Sequence, residues 1–376
     1  MGKEVRVEAE TQEEEVLATF WKQATPGVTY YRATLPARHM PGQVLKLVEA
    51  DAVLAGEEIL FPRQKGVAIW SFPGNNVRAL LIAEMQNQGI PCLAEFDDNY
   101  RVPPPFVEIS NWRETRDRAD VREYDMHTYQ TATDVCRFVD GLIVSTPYLA
   151  DIYSELNDNI HVCPNCVDPD DWDPDPPHQA DGILRVGWAA SDSHKYDAPL
   201  IKDALAWASS RKGVEVVVMG IHPEISRFRF PYRHIPWSNS LADYRKAVSV
   251  LDVMLCPVIP SEWTNAKSDV KAMEAAMGGA CSIVSETEPY RPWFDKPAYV
   301  AKQPWDYTRL LKHLVRNRDE VAETARLARE YVLAERDIRQ HVHKWRDACL
   351  SQSYTAAELL TVSTRGTLTS SGKQTD

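Results

Sequence analysis

The sequence predicts an α/β protein built from two doubly wound, parallel-sheet domains followed by a helical C-terminal segment. Three observations carry that reading. The chain has 376 residues, enough for two domains of roughly 150 residues each. Strand-like apolar runs alternate with amphipathic helical runs from residue 28 to residue 284, the order of βαβ units with right-handed crossovers. A stretch rich in Pro and Asp, residues 168–181, breaks the alternation with the composition of a linker.

The elements follow in order. Residues 1–26 form an acidic extension, helical or loosely attached. The first domain, 27–178, opens with a strand at 28–33 and a short helix at 42–49 after a Pro-containing loop. A strand at 66–70, a turn at 73–76, an amphipathic helix at 77–88 and a strand at 90–96 make one βαβ unit. Residues 100–122 are charged and Pro-rich, the composition of a long functional loop. A helix at 124–139, a strand at 141–145, a helix at 147–156 with Pro147 in its first turn, and a strand at 160–164 complete the domain.

The second domain, 179–303, starts with a strand at 184–189 and a helix at 198–211. The strand at 214–219 is mostly β-branched and suits burial on both faces of a parallel sheet. Ser240 and Asp243 resemble a capping box opening a helix to Val248. Strand 251–256, helix 268–277 and strand 280–284 follow. Residues 304–350 carry an almost continuous helical pattern, and the Ser/Thr-rich tail, 351–376, reads as disordered.

Composition narrows the function. The net charge of −12 lacks the basic footprint of a nucleic-acid binder, so no stable nucleic-acid binding is expected. No apolar run approaches the roughly 18 residues of a membrane helix. The start, with Glu4 and then Glu13 to Glu15, lacks the basic-then-apolar order of a signal peptide. The expectation is a soluble cytoplasmic protein, or one in the host cytoplasm if viral. The seven cysteines are scattered and odd in number, as free thiols are in a reducing compartment. Cys163 and Cys166 form a C-x-x-C without the second ligand pair that zinc needs, and no metal site is expected. The sequence has no G-x-G-x-x-G after a strand, no P-loop and no G-x-S-x-G elbow, which argues against dinucleotide, P-loop and α/β-hydrolase chemistry.

The informative stretch runs from Asn265 to Ala280, between two strands. At 100° per residue, Lys267, Lys271 and Glu274 share a helix face, beside an apolar stripe of Val270, Met273 and Met277. Two cations and the free amides of a helix N-terminus suit a diphosphate, and a carboxylate two turns in suits sugar hydroxyls. The same pattern also fits an ordinary solvated face with a Lys271–Glu274 pair. Asp97 and Asp98 end a first-domain strand, where open α/β sheets bind ligands. They either face the cleft or cap the following loop. The alternating acidic residues Asp171, Asp173 and Asp175 lie in the linker and interleave with Pro. Trp237 fits base stacking and a structural role equally.

The block resembles the nucleotide-sugar region of retaining GT-B glycosyltransferases of the group 1, family 4 type. Glu274-Ala275-Ala276-Met277-Gly278-Gly279-Ala280 with Ser282 to Ser285 follows the second half of their Glu-x7-Glu motif. Asn265 to Lys271 keeps most of the N-x-A-K-S-x-x-K of a subgroup. Gly187-Trp188-Ala189-Ala190-Ser191 with His194 and Asp197 resembles the loop that opens the second domain. Leu251 to Pro257, Pro164 to Asp168 and Asp140 to Thr146 resemble further family segments in the right order.

The resemblance implies two Rossmann-like domains facing a cleft, with the C-terminal helices returning to the first. It implies a soluble transferase moving a sugar from a nucleoside diphosphate sugar with retention, without a tightly bound cofactor or metal. Gly187, Ser191, His194, Lys195, Asn265 and Ser268 would bind the donor. Lys267 and Lys271 would neutralise the leaving diphosphate, and Glu274 would orient the ribose or sugar. Asp97 would meet the acceptor or the transferred sugar; the acceptor, entering over residues 73–76 and Asp97, could be a glycan, protein, lipid or modified nucleic-acid base. The first Glu of the family motif falls on Ala266, which accepts no side-chain hydrogen bond; Asn265 or Glu262 could substitute. That departure keeps open a non-catalytic nucleotide-sugar binder, beside an epimerase or phosphorylase on the same fold.

Overall fold

The computed structural model describes residues 18–22, 26–40, 44–49, 66–71, 74, 76–102, 119–176, 181–191, 194–221 and 227–366. Residues 73 and 75 of the 73–76 turn, most of the 100–122 loop, and the ends 1–17 and 367–376 lie outside them. The described residues form two parallel six-stranded sheets.

The first sheet takes β1 (Ala18–Lys22), β2 (Val44–Glu49), β3 (Val67–Ser71), β4 (Cys92–Phe96), β5 (Gly141–Val144) and β6 (Ile160–Val162), in the order β2-β1-β3-β4-β5-β6. Strands β3 and β4 are buried at every position, so both faces are covered, as parallel sheets require. The covering helices include α2 (Asn76–Asn87), α3 (Ala119–Phe138) and α4 (Pro147–Tyr153). Thr146 caps α4 by accepting from Leu149 N, and Pro147 starts it.

The start of this domain departs from the sequence reading in three ways. The acidic extension contains β1, which pairs with both β2 and β3. The run at 28–33, rich in β-branched and aromatic residues, is helical instead of extended. Helix α1 covers 26–38 as a turn Pro26–Thr29, a π-helical turn Tyr30–Thr34 and a final turn Leu35–Arg38. Pro36 lacks an N–H and its ring crowds the carbonyl four residues back, and the wider π turn makes room. Leu35 N accordingly reaches Tyr30 O, five residues back. The segment at 42–49 is a strand rather than a helix, since Val44–Glu49 pairs in parallel with β1 and six residues are too few for a stable helix.

The second sheet takes β7 (Leu184–Ala190), β8 (Val214–Gly220), β9 (Arg233–Pro236), β10 (Val253–Cys256), β11 (Cys281–Ser285) and β12 (Tyr299–Ala301). Its order, β12-β11-β10-β7-β8-β9, reverses direction between β7 and β10. That reversal is the topological switch point, where doubly wound sheets open a crevice at their carboxyl ends. Strands β9 and β12 went unread in the sequence because both are short and half-exposed. Around the sheet lie α5 (Ala198–Ser209), α6 (Leu241–Val248), the short α7 (Glu262–Asn265) and α8 (Val270–Met277).

The C-terminal helical pattern resolves into α9 (Pro304–Arg316), α10 (Arg318–Glu335) and α11 (Ile338–Gly366). Helix α11 continues past residue 351, into the tail read as disordered. It returns to the first domain, burying Trp345, Ala348 and Cys349 with Phe20, Ile69 and Cys163. Trp345 lies 5.8 Å from Phe20, ring centre to ring centre. Truncating such a buried Trp to Ala costs about 3–5 kcal/mol. All seven cysteines are free and buried.

Candidate active site

A cavity of about 320 Å³ lies between the carboxyl ends of the two sheets. The second domain contributes the end of β7 with Ser191 after it, His194, Trp237, and Lys267, Ser268, Lys271 and Glu274. The first contributes Tyr31 and Arg32 of α1 together with Asp97, Asp98 and Asn165. Consecutive residues of a regular helix diverge by 100°, yet Tyr31 and Arg32, both in the π turn, line this one cavity.

Helix α8 starts at Val270, two residues later than the sequence reading. Lys267 and Ser268 therefore stand in the loop before it, and only Lys271 and Glu274 share its face. Ser261 caps the short α7 by accepting from Thr264 N, and this turn sets the path of that loop.

Lys271 donates from Nζ to the Ala189 carbonyl at 2.9 Å. Burial lowers its pKa, and the Glu274 carboxylate opposes that shift. Glu274 accepts from the Tyr31 hydroxyl at 2.8 Å and from the Tyr244 hydroxyl at 2.7 Å. Burial raises its pKa against the pull of Lys271 and the two hydroxyls. The Lys271–Glu274 face is thus a buried, hydrogen-bonded wall and not a solvated surface.

Lys267 crosses the cleft. Its ammonium lies 2.9 Å from Asp98 Oδ1 and 3.7 Å from the centre of the Trp263 ring. Further bonds join the domains beside it: Asn165 Nδ2 donates to Ser268 Oγ at 2.7 Å, and Asn99 Nδ2 donates to the Glu262 carbonyl at 3.4 Å. Asp97 lines the cavity, and its carboxyl makes no hydrogen bond among the described residues. Burial, with the negative charges of Asp98 and Glu95, pushes its pKa up to about 8. Both influences favour its neutral form.

His194 Nδ1 lies 2.8 Å from Asp197 Oδ2, and Asp197 Oδ1 accepts from Ile259 N at 2.9 Å. Burial and the nearby Lys271 push the imidazole down to about 4, so it is neutral at pH 7. It can serve as a hydrogen-bond donor or acceptor there, but not as a cation.

Of the residues singled out from sequence, Lys267, Lys271, Glu274, Asp97, Ser191, His194 and Ser268 meet at the cavity. Gly187, Lys195 and Asn265 are not among its lining residues. Gly187 lies inside β7, where a Cβ would meet Leu251 Cδ2 at 2.4 Å and the Val217 carbonyl at 2.8 Å, so its smallness serves strand packing. Lys195 sits over the Tyr196 ring at 5.2 Å. Asn265 belongs to α7, and its backbone N–H donates to the Ser261 carbonyl.

Ala266 is fully buried in the first-domain core cluster that contains Tyr153, and its carbonyl accepts from Thr146 Oγ1 at 3.4 Å. A side chain at that position faces the domain interface. Glu262 is exposed outside the cavity lining, so neither proposed substitute for the missing Glu stands in the site. Tyr31, Arg32 and Tyr244 carried no recognisable motif, and Asn165 lay in the Pro164–Asp168 family segment without a site role; the packing of the two domains brings all four to the cavity. Trp237 is 56% exposed, lines the cavity and bonds Asn239 Oδ1 through Nε1 at 3.0 Å. Asp171 accepts from Tyr30, Arg38 and Arg245 rather than standing as an open metal ligand. Among the described residues, no group of three or more His, Cys, Asp or Glu is placed to hold a metal ion, and no helix is long and apolar enough to cross a membrane.

No protein-family model matches the chain, and no curated protein sequence does. Solved structures do. The chain is similar to Anabaena Alr3699/HepE in complex with UDP, at 11% identity and a TM-score of 0.62, over 90% of this chain and 100% of that one. It is similar to a glycosyltransferase from Rickettsia africae at 9% identity and a TM-score of 0.56, over 90% and 98%. It is also similar to sucrose-phosphate synthase from Thermosynechococcus elongatus at 13% identity and a TM-score of 0.52, over 79% and 74%. At these identities the likeness is one of fold: two Rossmann-like domains in the GT-B arrangement.

Proposed function

We propose that the GT-B cleft of this protein transfers a sugar from a nucleoside diphosphate sugar to an acceptor, with retention of anomeric configuration, in the cytoplasm. The observation that carries the reading is the convergence of Lys267, Lys271, Glu274 and His194 with Asp97 and Asp98 at one interdomain cavity. The fold neighbour from Anabaena was solved with UDP and with UDP-glucose, which makes a uridine donor the first to try.

In this reading the donor lies on the second domain, its diphosphate toward Lys271 and Lys267 and its base toward Trp237. Such a transfer needs the leaving diphosphate stabilised more than it needs an acid or base. Lys271 is suited to that task because it is fixed and desolvated, where a charge acts more strongly than in water. Neutral His194 would bond a sugar or phosphate oxygen without adding charge, and Glu274 would orient donor hydroxyls by exchanging the Tyr31 bond for one to the ligand. Asp97 would meet the acceptor from the opposite wall. No tightly bound cofactor or metal enters this scheme.

The test is a panel of UDP-, GDP-, ADP- and TDP-sugars followed by melting temperature. A ligand at 100 times its dissociation constant adds about 2.7 kcal/mol, or several degrees. A shift with one nucleotide family that disappears in Lys271→Ala is the expected result; no shift with any of them overturns the proposal. Product anomers read by NMR test retention. The buried Ala266 favours a second reading, a nucleotide-sugar binder without catalysis. Donor binding with neither hydrolysis nor transfer would identify it.

A further inference from the structure

The first-domain wall of the cavity holds a buried cation with an unmet donor. Arg32 is 0% exposed. Its Nε donates to Glu95 at 2.6 Å, and Nη1 donates to the Cys163 carbonyl at 2.7 Å and to Asn165 Oδ1 at 3.0 Å. The Trp345 ring covers the guanidinium at 4.8 Å. Nη2 is buried without an acceptor, although Arg32 lines the cavity. A buried donor left unpaired is destabilising, a penalty that a ligand oxygen would relieve.

Asp97 is the second unpartnered group on this wall. The other charges there cancel: Glu95 pairs with Arg32, and Asp98 pairs with Lys267. The wall therefore offers one N–H donor and one carboxyl, with little net charge around them. A charged acceptor would lose its hydration at this wall, where each opposite charge is already paired, whereas neutral hydroxyls lose less.

We infer that Arg32 and Asp97 form the acceptor-recognition pair and select an uncharged, polyhydroxylated acceptor. One acceptor oxygen takes the Arg32 Nη2 hydrogen, and an adjacent hydroxyl bonds the Asp97 carboxyl. The inference rests on the glycosyl-transfer reading for its meaning, but its test stands apart. The Tyr31–Glu274 and Lys267–Asp98 bonds join the two domains at the same cavity.

The experiment uses saturation-transfer NMR on the full chain with three sets of probes: neutral methyl hexosides (gluco, galacto and manno), the matching uronates, and the matching 2-amino sugars. At least one neutral hexoside is expected to bind about tenfold more tightly than its charged counterparts. In Asp97→Ala that affinity should fall about tenfold, the loss of one hydrogen bond to a buried group, while UDP affinity holds within about twofold. Arg32→Lys, which keeps the charge near Glu95 but removes Nη2, should act the same way. Asp97→Ala keeps the test decisive if the arginine variant fails to fold. Binding of no neutral hexoside, equal or tighter binding of the uronates or amines, or unchanged hexoside affinity in Asp97→Ala overturns the inference. The series is run with and without UDP. A protein that does not bind UDP then sinks the donor reading, while the hexoside ratios still decide this one.

Discussion

Replacing Asp98 with Asn should make the protein bind UDP more tightly. Lys267 is proposed as a diphosphate ligand, yet its ammonium lies 2.9 Å from Asp98, with both side chains 21% exposed. The gross attraction of such a pair at an effective dielectric constant near 20 is about 4 kcal/mol at 4 Å. Solvent and salt screening, and the entropy of fixing two side chains, bring the net worth of a partly exposed pair nearer 1 kcal/mol. A diphosphate that takes Lys267 must displace Asp98, so 1 kcal/mol corresponds to about a fivefold gain in affinity for Asp98→Asn. Isothermal titration with UDP at low and high salt would measure it, with the gain shrinking as salt screens the pair. Equal or weaker binding by an Asp98→Asn protein with a wild-type melting temperature would refute the competition argument and detach Lys267 from the donor site.

Three further outcomes follow from the same geometry. Gly187→Ala should lower stability by about 1–3 kcal/mol through overpacking against Leu251 and the Val217 carbonyl, seen as a fall in denaturant midpoint with no selective loss of nucleotide affinity. His194 is pushed down to about 4, so the folded state binds fewer protons than the unfolded chain between pH 4 and 6.5. Its contribution to stability is complete above that window and is lost as pH falls through it; His194→Gln should flatten melting temperature against pH there, and an unchanged slope would count against the burial argument. Asp97 has the opposite sign, because its folded pKa of about 8 lies above the usual carboxyl value. The folded state holds the extra proton, so its stabilising contribution is lost as pH rises from about 4 through 8; Asp97→Asn should gain stability over the wild type toward pH 8.5 and show little gain near pH 4.

Much of the second domain was legible because its elements are long and regular. The strand at 214–219 and the capping residue Ser240 obey local rules that need no knowledge of the other domain. The start of the first domain was not. Residues 28–33 have the β-branched and aromatic composition of a strand, but Pro26 and Pro36 and the burial of Tyr30, Arg32, Ala33 and Leu35 made a helix with a π turn. Strand β1 hid in an acidic extension, because pairing with two neighbours decides whether five residues stay extended.

The sequence by itself determined the alternation of strands and helices, the acidic net charge, and the presence of two lysines and a glutamate within one short segment. These depend on contacts a few residues apart, which local spacing encodes. Only the tertiary structure decided that Lys267 reaches across to Asp98, that Tyr31 and Tyr244 clasp Glu274, that Gly187 serves packing, and that Ala266 faces the first domain. Tyr31 and Glu274 stand 243 positions apart, and Lys267 and Asp98 stand 169 apart. Their bonds, and the burial that shifts Asp97 and His194, arise from how two separately folded domains meet, which no local pattern records.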